Sequence, residues 1–260
     1  MKKLLFLFLF VPVLASGQIT SKILPSLKPP SERIALAYDA NQPLNIDDEC
    51  KVWLDGQDAS TFTLNDNKVI QWDCKGALGA DVSNDVDATR PTYDINTGRV
   101  TFTRANSTFL QSAVFGSALT QPNTIFIVYK ITGVTSDNEY VFDGIGGTRS
   151  AFYYQSSAYK IRSNTVLSDG AINANDNIHT VLFNGVSTEY WINGISVVSG
   201  DAGTAALGGI TLGIALDLVS LPSDVSISEV IVYNADISDV DRVKIEGYLS
   251  KKHDIPVTTD

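Results

Sequence analysis

Residues 227–256, ISEVIVYNADISDVDRVKIEGYLSKKHDIP, decide the fold, because they read as a final strand followed by one helix. The segment 230–233 is β-branched or aromatic, as a half-buried strand prefers. Ser238 stands where a helix N-cap belongs, with Asp241 three residues later, and Pro256 prevents continuation beyond the last turn. The predicted apolar face of this helix consists of Val240, Val243, Ile245, Tyr248 and Leu249.

The chain upstream of this segment has the pattern of short strands. Residues 124–131, TIFIVYKI, are almost wholly apolar and predict a central strand covered on both faces. Asn193 and Gly194 form the strongest hairpin signal, and Asn96, Thr97 and Gly98 indicate another turn. About a dozen short strands, separated by turn residues at the spacing typical of a sandwich, predict an all-β fold.

Several motifs occur in an order that resembles concanavalin A-like domains, also described as laminin-G-like jelly rolls. They are residues 52–64 (VWLDGQDASTFTL), 72–73 (WD), 90–93 (RPTY), 98–102 (GRVTF), 109–110 (FL) and the closing segment 227–256. The resemblance implies a two-sheet antiparallel jelly-roll sandwich with one short C-terminal helix. It covers residues 47–256 and leaves residues 257–260 as a tail.

The first residues are typical of an export signal. Lys2 and Lys3 precede an apolar run, residues 4–14, and small residues follow at 15–17, so residues 1–17 predict a signal peptide with Gln18 as the mature start. The run is too short for the roughly 20 residues of a membrane-spanning helix. An uncleaved anchor is the weaker alternative. We therefore expect a secreted or surface-displayed protein, with no membrane insertion after cleavage.

The segment 18–46 is predicted to be an arm or linker, because prolines punctuate residues 18–43 without a steady periodicity. The alternative is that residues 18–43 dock onto a protein partner.

The charge balance is acidic. The formal net charge is −10, and removal of two signal lysines moves it to about −12. Such a chain repels nucleic acid and anionic membranes, so neither is an expected partner. Cys50 and Cys74 are the two cysteines of an exported chain, and a disulfide between them is the natural prediction.

Catalytic residues are not predicted. Glycan-cleaving members of the resembled superfamily carry paired acids on one strand, and no such strand occurs here. Glu229 shares the strand parity of Ile227, Ile231 and Tyr233. We therefore expect it to point inward and to pair with an arginine such as Arg99 or Arg104. The two histidines, His179 and His253, are interpreted as structural or surface residues.

Two polar loops are candidates for calcium, the one cofactor that the sequence raises. The first, which ranks ahead, carries Asp81, Asn84, Asp85 and Asp87, and the second carries Asp169, Asn173, Asn175 and Asp176. Hard cations prefer such oxygen ligands, and many domains of the resembled superfamily bind calcium near a glycan. The alternative is ordinary turn chemistry at a solvated loop.

Aromatic residues are the candidates for carbohydrate binding, since sugars pack their apolar faces on exposed rings. Tyr153, Tyr154 and Tyr159 flank a hairpin, and Tyr190 and Trp191 precede the hairpin at Asn193 and Gly194. In each adjacent pair, strand alternation sends one ring inward and the other outward. The alternative interpretation is that Trp191, like Trp53 and Trp72, belongs to the packing of the sheets.

These observations favour a non-catalytic carbohydrate-binding or adhesion module, whose partner is a glycan or a cell-surface polysaccharide. The alternative is a structural or receptor-binding subunit of a larger assembly, such as a virion spike, a fibre or a surface layer, with residues 18–43 as its docking device. A glycan hydrolase or lyase is the third hypothesis.

Overall fold

The computed structural model describes residues 42–43 and 49–258. The predicted signal peptide, almost all of the predicted arm and the last two residues of the predicted tail lie outside this range. The predicted start of the domain at residue 47 also lies outside, and the first described strand begins at Cys50.

The described residues form seventeen strands and one α-helix, which confirms the all-β class. In chain order the strands are β1 (Cys50–Asp55), β2 (Phe62–Asn65), β3 (Lys68–Trp72), β4 (Val82–Ser83), β5 (Thr92–Asp94), β6 (Arg99–Phe102), β7 (Leu110–Ser112), β8 (Asn123–Ile131), β9 (Glu139–Asp143), β10 (Ala151–Gln155), β11 (Ala158–Arg162), β12 (Val166–Ala171), β13 (Asp176–Phe183), β14 (Thr188–Ile192), β15 (Ile195–Gly200), β16 (Thr211–Leu212) and β17 (Val225–Tyr233). Strands of two or three residues, such as β4 and β16, explain why the sequence pattern predicted fewer.

The strand pairings are antiparallel and fall into two sets. In the first set, β17 pairs with β1 and β6 on one side and with β8 on the other, followed by β13, β14 and β15. The second set runs β2–β3–β4–β7–β16–β9–β10–β11–β12. Strand β5 joins the sets, because it pairs with both β3 and β6.

Both sets contribute side chains to one apolar core. Ile127 and Val230 come from the first set, whereas Trp72, Phe152 and Leu212 come from the second, and all five are buried in the same cluster. Two antiparallel layers that share an interior form a β-sandwich. The predicted central strand is confirmed as β8, which is paired on both sides and buried at every position except Lys130.

The helix α1 (Asp239–His253) packs on the outer face of the first set. Its predicted cap is confirmed, since the hydroxyl of Ser238 accepts a hydrogen bond from the backbone N–H of Asp241 at 3.2 Å. Ile245, Tyr248 and Leu249 are buried as predicted. Val240 is 60% exposed, against prediction, because the first turn of α1 borders an open groove. No helix among the described residues is long and apolar enough to cross a membrane.

A bulge in β17 changes which residues share a face. The β17–β8 register shifts between Ile227 and Glu229. Ile227 therefore enters the core together with Val230. Strict alternation had grouped Ile227 with Glu229, and the extra residue, Ser228, explains the difference. Glu229 lies instead under α1, beside the buried Ile231.

Candidate functional site

A groove of about 600 Å³ lies between the first half of α1 and the β14–β15 hairpin. We call it the helix–hairpin groove. Its strand side consists of Glu189, Trp191, Gly194 and Ser196, and its helix side consists of Asp239, Val240, Arg242, Val243 and Lys244. A volume of this size is within the range of small-molecule sites.

Strand alternation and a tight turn build the strand side of the groove. In β14, Tyr190 enters the core, so Glu189 and Trp191 take the outer face. The predicted hairpin is confirmed, because Asn193 and Gly194 have φ values of 52° and 82°, as a two-residue turn of two left-handed residues requires.

Trp191 is the aromatic surface of the groove. Its side chain is 6% exposed, and the guanidinium of Arg242 lies 4.5 Å from the ring centroid. Arg242 is held in turn by Glu246 at 2.9 Å and by Asp239 at 3.6 Å. A cation over an indole face is attracted by the ring quadrupole. A ligand therefore meets a guanidinium stacked on an indole rather than a bare ring.

Charged groups of both signs surround this stack. Glu189 accepts a hydrogen bond from the hydroxyl of Ser196 at 3.0 Å, and Lys244 pairs with Asp241 at 2.9 Å. The side chain of Asp239 is 88% exposed. The groove thus offers carboxylate acceptors and cationic donors within one small volume, and it can hold a ligand that has an apolar face and several polar groups.

The carboxylate behind the groove is buried. Burial raises the pKa of Glu246, although the charge of Arg242 and the hydrogen bond from Thr180 act in the opposite direction. Thr180 donates to this carboxylate at 2.8 Å from β13. Arg242 therefore connects the groove to the interface between α1 and the sheet.

The predicted aromatic residues are not exposed platforms. Tyr154, Tyr159 and Tyr190 belong to the core, and Tyr153 is 4% exposed and stacked on Tyr140 at 4.7 Å. The alternation predicted for both adjacent pairs is confirmed, yet outward-facing rings are covered as well. Of the five candidates, Trp191 alone lines a described groove.

The predicted calcium loop does not form a metal cluster. Asp81 accepts a hydrogen bond from the backbone N–H of Cys74 at 2.7 Å, and Asp87 forms an ion pair with Lys68 at 2.5 Å. The backbone carbonyl of Asp85 accepts a hydrogen bond from the guanidinium of Arg90. The remaining candidate, Asn84, is buried and donates its amide to the carbonyls of Thr89 and Phe109. Within residues 42–43 and 49–258, no group of three or more His, Cys, Asp or Glu residues is arranged to hold a metal ion.

In the second candidate loop, Asp176 and Asn173 make local bonds. Asp176 pairs with Arg99 at 2.8 Å, and Asn173 accepts from the backbone of Asn175 at 2.9 Å and from the side chain of Asn177. Asp169 lies in β12 rather than in the loop. These contacts fit the turn interpretation of the loop.

The predicted disulfide is absent from this structure, in which both cysteines are free thiols. Cys50 lies opposite Tyr233 in the β1–β17 ladder, and its thiol donates to the carbonyl of Val52 at 3.3 Å. Cys74 follows β3 and packs against the core. The two segments are adjacent, since the backbone N–H of Ala77 donates to the carbonyl of Cys50 at 2.9 Å. Burial raises the pKa of both thiols, and the nearby Cys74 adds to the rise at Cys50.

Glu229 is buried, but it lies on the outer face of the sheet beneath α1 and its partners are not arginines. Its carboxylate accepts from Trp53 at 2.8 Å, from Tyr248 at 2.7 Å and from His253 at 2.7 Å, and Lys252 pairs with it at 2.9 Å. Burial raises its pKa, but the hydrogen bond from His253 and the charge of Lys252 prevail and hold the pKa below its usual value.

The proposed arginine partners of Glu229 lie elsewhere. Arg99 pairs with Asp176, and Arg104 pairs with Glu139 and Asp224. The structural interpretation of the histidines fits their positions. His179 is fully buried and bonded to Tyr190 at 2.6 Å, while His253 ties the end of α1 to Glu229.

Sequence reasoning missed Glu189, Arg242 and Lys244 as groove residues. Each is a charged residue in an amphipathic element and looks like part of a solvated face. Only the packing of α1 beside the β14–β15 hairpin brings them to Trp191. The useful signal was Trp191 itself, an outward-facing indole two residues after an acid.

No protein-family model and no curated protein matches this chain. Solved structures match in fold. Trypanosoma rangeli sialidase in complex with the inhibitor DANA has 10% identity and a TM-score of 0.57. The superposition covers 94% of this chain and 40% of the sialidase chain. The same sialidase in complex with sialic acid has 11% identity, a TM-score of 0.52 and the same coverage of both chains.

The binding domain of Botulinum neurotoxin serotype D has 11% identity and a TM-score of 0.57, and covers 82% of this chain and 53% of that chain. At such identities the likeness shows a shared β fold. The present chain spans less than half of the sialidase and about half of the neurotoxin domain.

Proposed function

We propose that this protein is a non-catalytic carbohydrate-binding module and that the helix–hairpin groove holds the glycan. One observation carries the proposal: Trp191 lies in a groove of about 600 Å³, flanked by the carboxylates of Glu189 and Asp239 and by the cations of Arg242 and Lys244.

The chemistry of this groove suits a sugar. A sugar ring has an apolar face that packs on an aromatic or guanidinium plane, and its hydroxyls both donate and accept hydrogen bonds. Glu189 and Asp239 can accept from hydroxyls, and Arg242 and Lys244 can donate to them. A mixed set of this kind favours a polyhydroxylated ligand over a purely apolar one.

The comparisons support the proposal by analogy of fold. A sialidase solved with sialic acid and a neurotoxin binding domain share this β architecture with the chain. The concanavalin A-like jelly roll, the export of the chain and its display at a surface are parts of the same proposal and rest on the sequence motifs. The non-catalytic assignment rests on the lack of a paired-acid strand in the sequence.

The test is a glycan array with residues 18–260, run with calcium and again with a chelator, beside Trp191→Ala and Trp191→Phe. Wild-type binding that Trp191→Ala abolishes and Trp191→Phe weakens is the expected result. Lys251→Ala, on an exposed position of the same helix outside the groove, is the matched control and should bind like wild type. The proposal would be overturned if folded wild-type protein bound no glycan on the array, or if Trp191→Ala bound as well as wild type.

A second candidate function is a subunit of a larger assembly. Two apolar side chains beside the groove are exposed, Ile195 at 50% and Val240 at 60%, and such residues suit a protein contact. In this case sedimentation velocity should show concentration-dependent oligomers that Ile195→Ser with Val240→Ser disperses. A monomer at all concentrations would exclude self-assembly through this face.

A further inference from the structure

A second cavity, of about 430 Å³, borders the same hairpin turn. Its polar lining comes from β8, from the start of β13 and the loop before it, from the turn and from the end of α1. It consists of Lys130, Asn175, Asp176, Asn177, Asn193, His253 and Asp254. We call it the amide cavity. Asn193 lines the amide cavity and the next residue, Gly194, lines the helix–hairpin groove, so one turn contributes to both.

The wall of the amide cavity is built from interlocked side chains. Asn177 is 3% exposed and accepts from the amide of Asn193 at 2.9 Å. The side-chain oxygen of Asn193 accepts a hydrogen bond from the backbone N–H of Ile178 at 2.8 Å. The backbone carbonyl of Asn193 accepts one from the backbone N–H of Thr258 at 2.9 Å. These bonds fix the amide wall before any ligand arrives, which lowers the ordering cost of binding.

Other polar groups in the cavity are left for a ligand. Among the described residues, the ammonium of Lys130 and the side-chain amide of Asn175 form no hydrogen bond or ion pair. Asp176 pairs with Arg99 through one oxygen, whereas its second oxygen, Oδ1, is buried without a partner.

We infer that the amide cavity is a second sugar subsite, so that the protein binds an oligosaccharide of two or more residues across the turn at Asn193 and Gly194. The inference rests on the proposed function of the helix–hairpin groove. Hydroxyls donate and accept, as side-chain amides do, so the amide of Asn175, the carboxylate of Asp176 and the ammonium of Lys130 match a sugar edge. Ile255 and Pro256 supply the apolar part of the lining.

Chain length tests the inference. Residues 18–260 are titrated, by calorimetry, with matched short and long probes: glucose and cellotetraose, N-acetylglucosamine and chitotetraose, sialic acid and α2,3-sialyllactose. For the pair that binds, the longer probe should bind about tenfold more tightly, the equivalent of roughly 1.4 kcal/mol. Lys130→Ala with Asn175→Ala should remove this gain and leave the affinity for the short probe unchanged.

The double variant should fold, since neither side chain has a described internal partner. Lys251→Ala is again the control and should keep the full gain. Side-chain amide and indole N–H signals in ¹H–¹⁵N spectra locate the ligand. Movement of the Trp191 indole without movement of the Asn175 amide at saturation would overturn this inference and leave the proposed function intact. No response of either group to any probe would overturn the proposed function itself.

Discussion

The two faces of the β17–β8–β13 sheet are buried by different means. The inner face packs apolar and aromatic side chains, and its one imidazole, His179, stacks on Tyr129 at 4.1 Å and bonds to Tyr190. The outer face is covered by a single helix, beneath which two carboxylates, Glu229 and Glu246, are buried with cationic partners. The opposite layer seals the inner face, whereas the helix leaves a groove where its first turn borders the hairpin.

The difference teaches where a ligand site can form. A face that packs against a second sheet is close-packed, so its polar side chains form contacts within the core. A face covered by one amphipathic helix needs ionic anchors at one end and can remain open at the other. Four predictions test this comparison.

The anchored end of the outer face should give the largest effect. Glu229→Gln leaves Trp53, Tyr248, Lys252 and His253 facing an amide instead of a carboxylate. Breaking a buried ion pair from one side costs about 3–5 kcal/mol, so the free energy of unfolding should fall by roughly that amount. Urea denaturation at pH 7 measures it. A loss below about 1 kcal/mol would show that the cluster does not anchor α1.

The inner face should respond to acid through His179. Burial lowers the pKa of His179 from 6.5 to about 3. The folded state therefore keeps this imidazole neutral where the unfolded chain binds a proton, and stability falls as pH decreases below 6.5. The expected slope is about 1.4 kcal/mol per pH unit.

Urea denaturation between pH 7 and 4.5 measures this slope, above the range where most carboxylates titrate. His179→Gln keeps a hydrogen-bonding group beside Tyr190 but cannot take up the proton. It should be less stable than wild type at pH 7 and nearly flat over the same interval. An equal slope in the variant would assign the acid sensitivity to other groups.

The carboxylate beside the groove should behave oppositely to the anchor. Burial raises the pKa of Glu246, so its ionised form is disfavoured in the folded state and its contribution to stability is lost as pH rises through that pKa. The pKa of Glu229 is lowered, so its contribution is present above the ordinary value of 4.5 and is lost in acid.

Glu246→Gln should therefore become more favourable relative to wild type as pH rises from 4.5 to 8. Glu229→Gln should lose stability relative to wild type as pH rises through the acid range to about 4.5, and the difference should change little above that pH. Parallel urea series on both variants measure the two trends. Trends of the same sign would remove the distinction between the two ends of α1.

The sequence predicted the strands and the helix better than it predicted which side chains are covered by other segments. Local signals identified β17, β8 and α1 because an apolar run, a cap at Ser238 and a stop at Pro256 act within a few residues. Alternation correctly predicted that one ring of each adjacent pair points outward, and the structure shows that these are Tyr153 and Trp191. Whether an outward ring is covered depends on segments distant in the chain, and both rings proved to be covered, by Tyr140 and Arg242.

Three other outcomes show the same limit. One extra residue, Ser228, shifted the parity of Ile227, and bulges leave no reliable mark in the periodicity. The spacing of Cys50 and Cys74 predicted a disulfide but could not show that both are free thiols in this structure. The partners of Glu229 on α1 depend on how the helix packs against the sheet. Strand parity therefore could not predict that they are a lysine and a histidine rather than an arginine.

The smallest effect on stability is expected in the open groove, where Glu189→Gln makes the same chemical change as Glu229→Gln. Glu189 is half-buried and bonded to Ser196, so the free energy of unfolding should change by less than about 0.5 kcal/mol. Its effect on binding should be large, because an amide replaces a charged acceptor for sugar hydroxyls. Calorimetry should show about tenfold weaker binding of the glycan selected on the array.

Ser196→Ala provides the control for that last variant, since it removes the hydroxyl that competes for Glu189 and leaves the carboxylate in place. It should bind the glycan at least as well as wild type. Unchanged binding by Glu189→Gln would remove this carboxylate from the site and place recognition on Trp191 and Arg242. The same substitution thus separates a carboxylate that holds the helix from one that is free to hold a ligand.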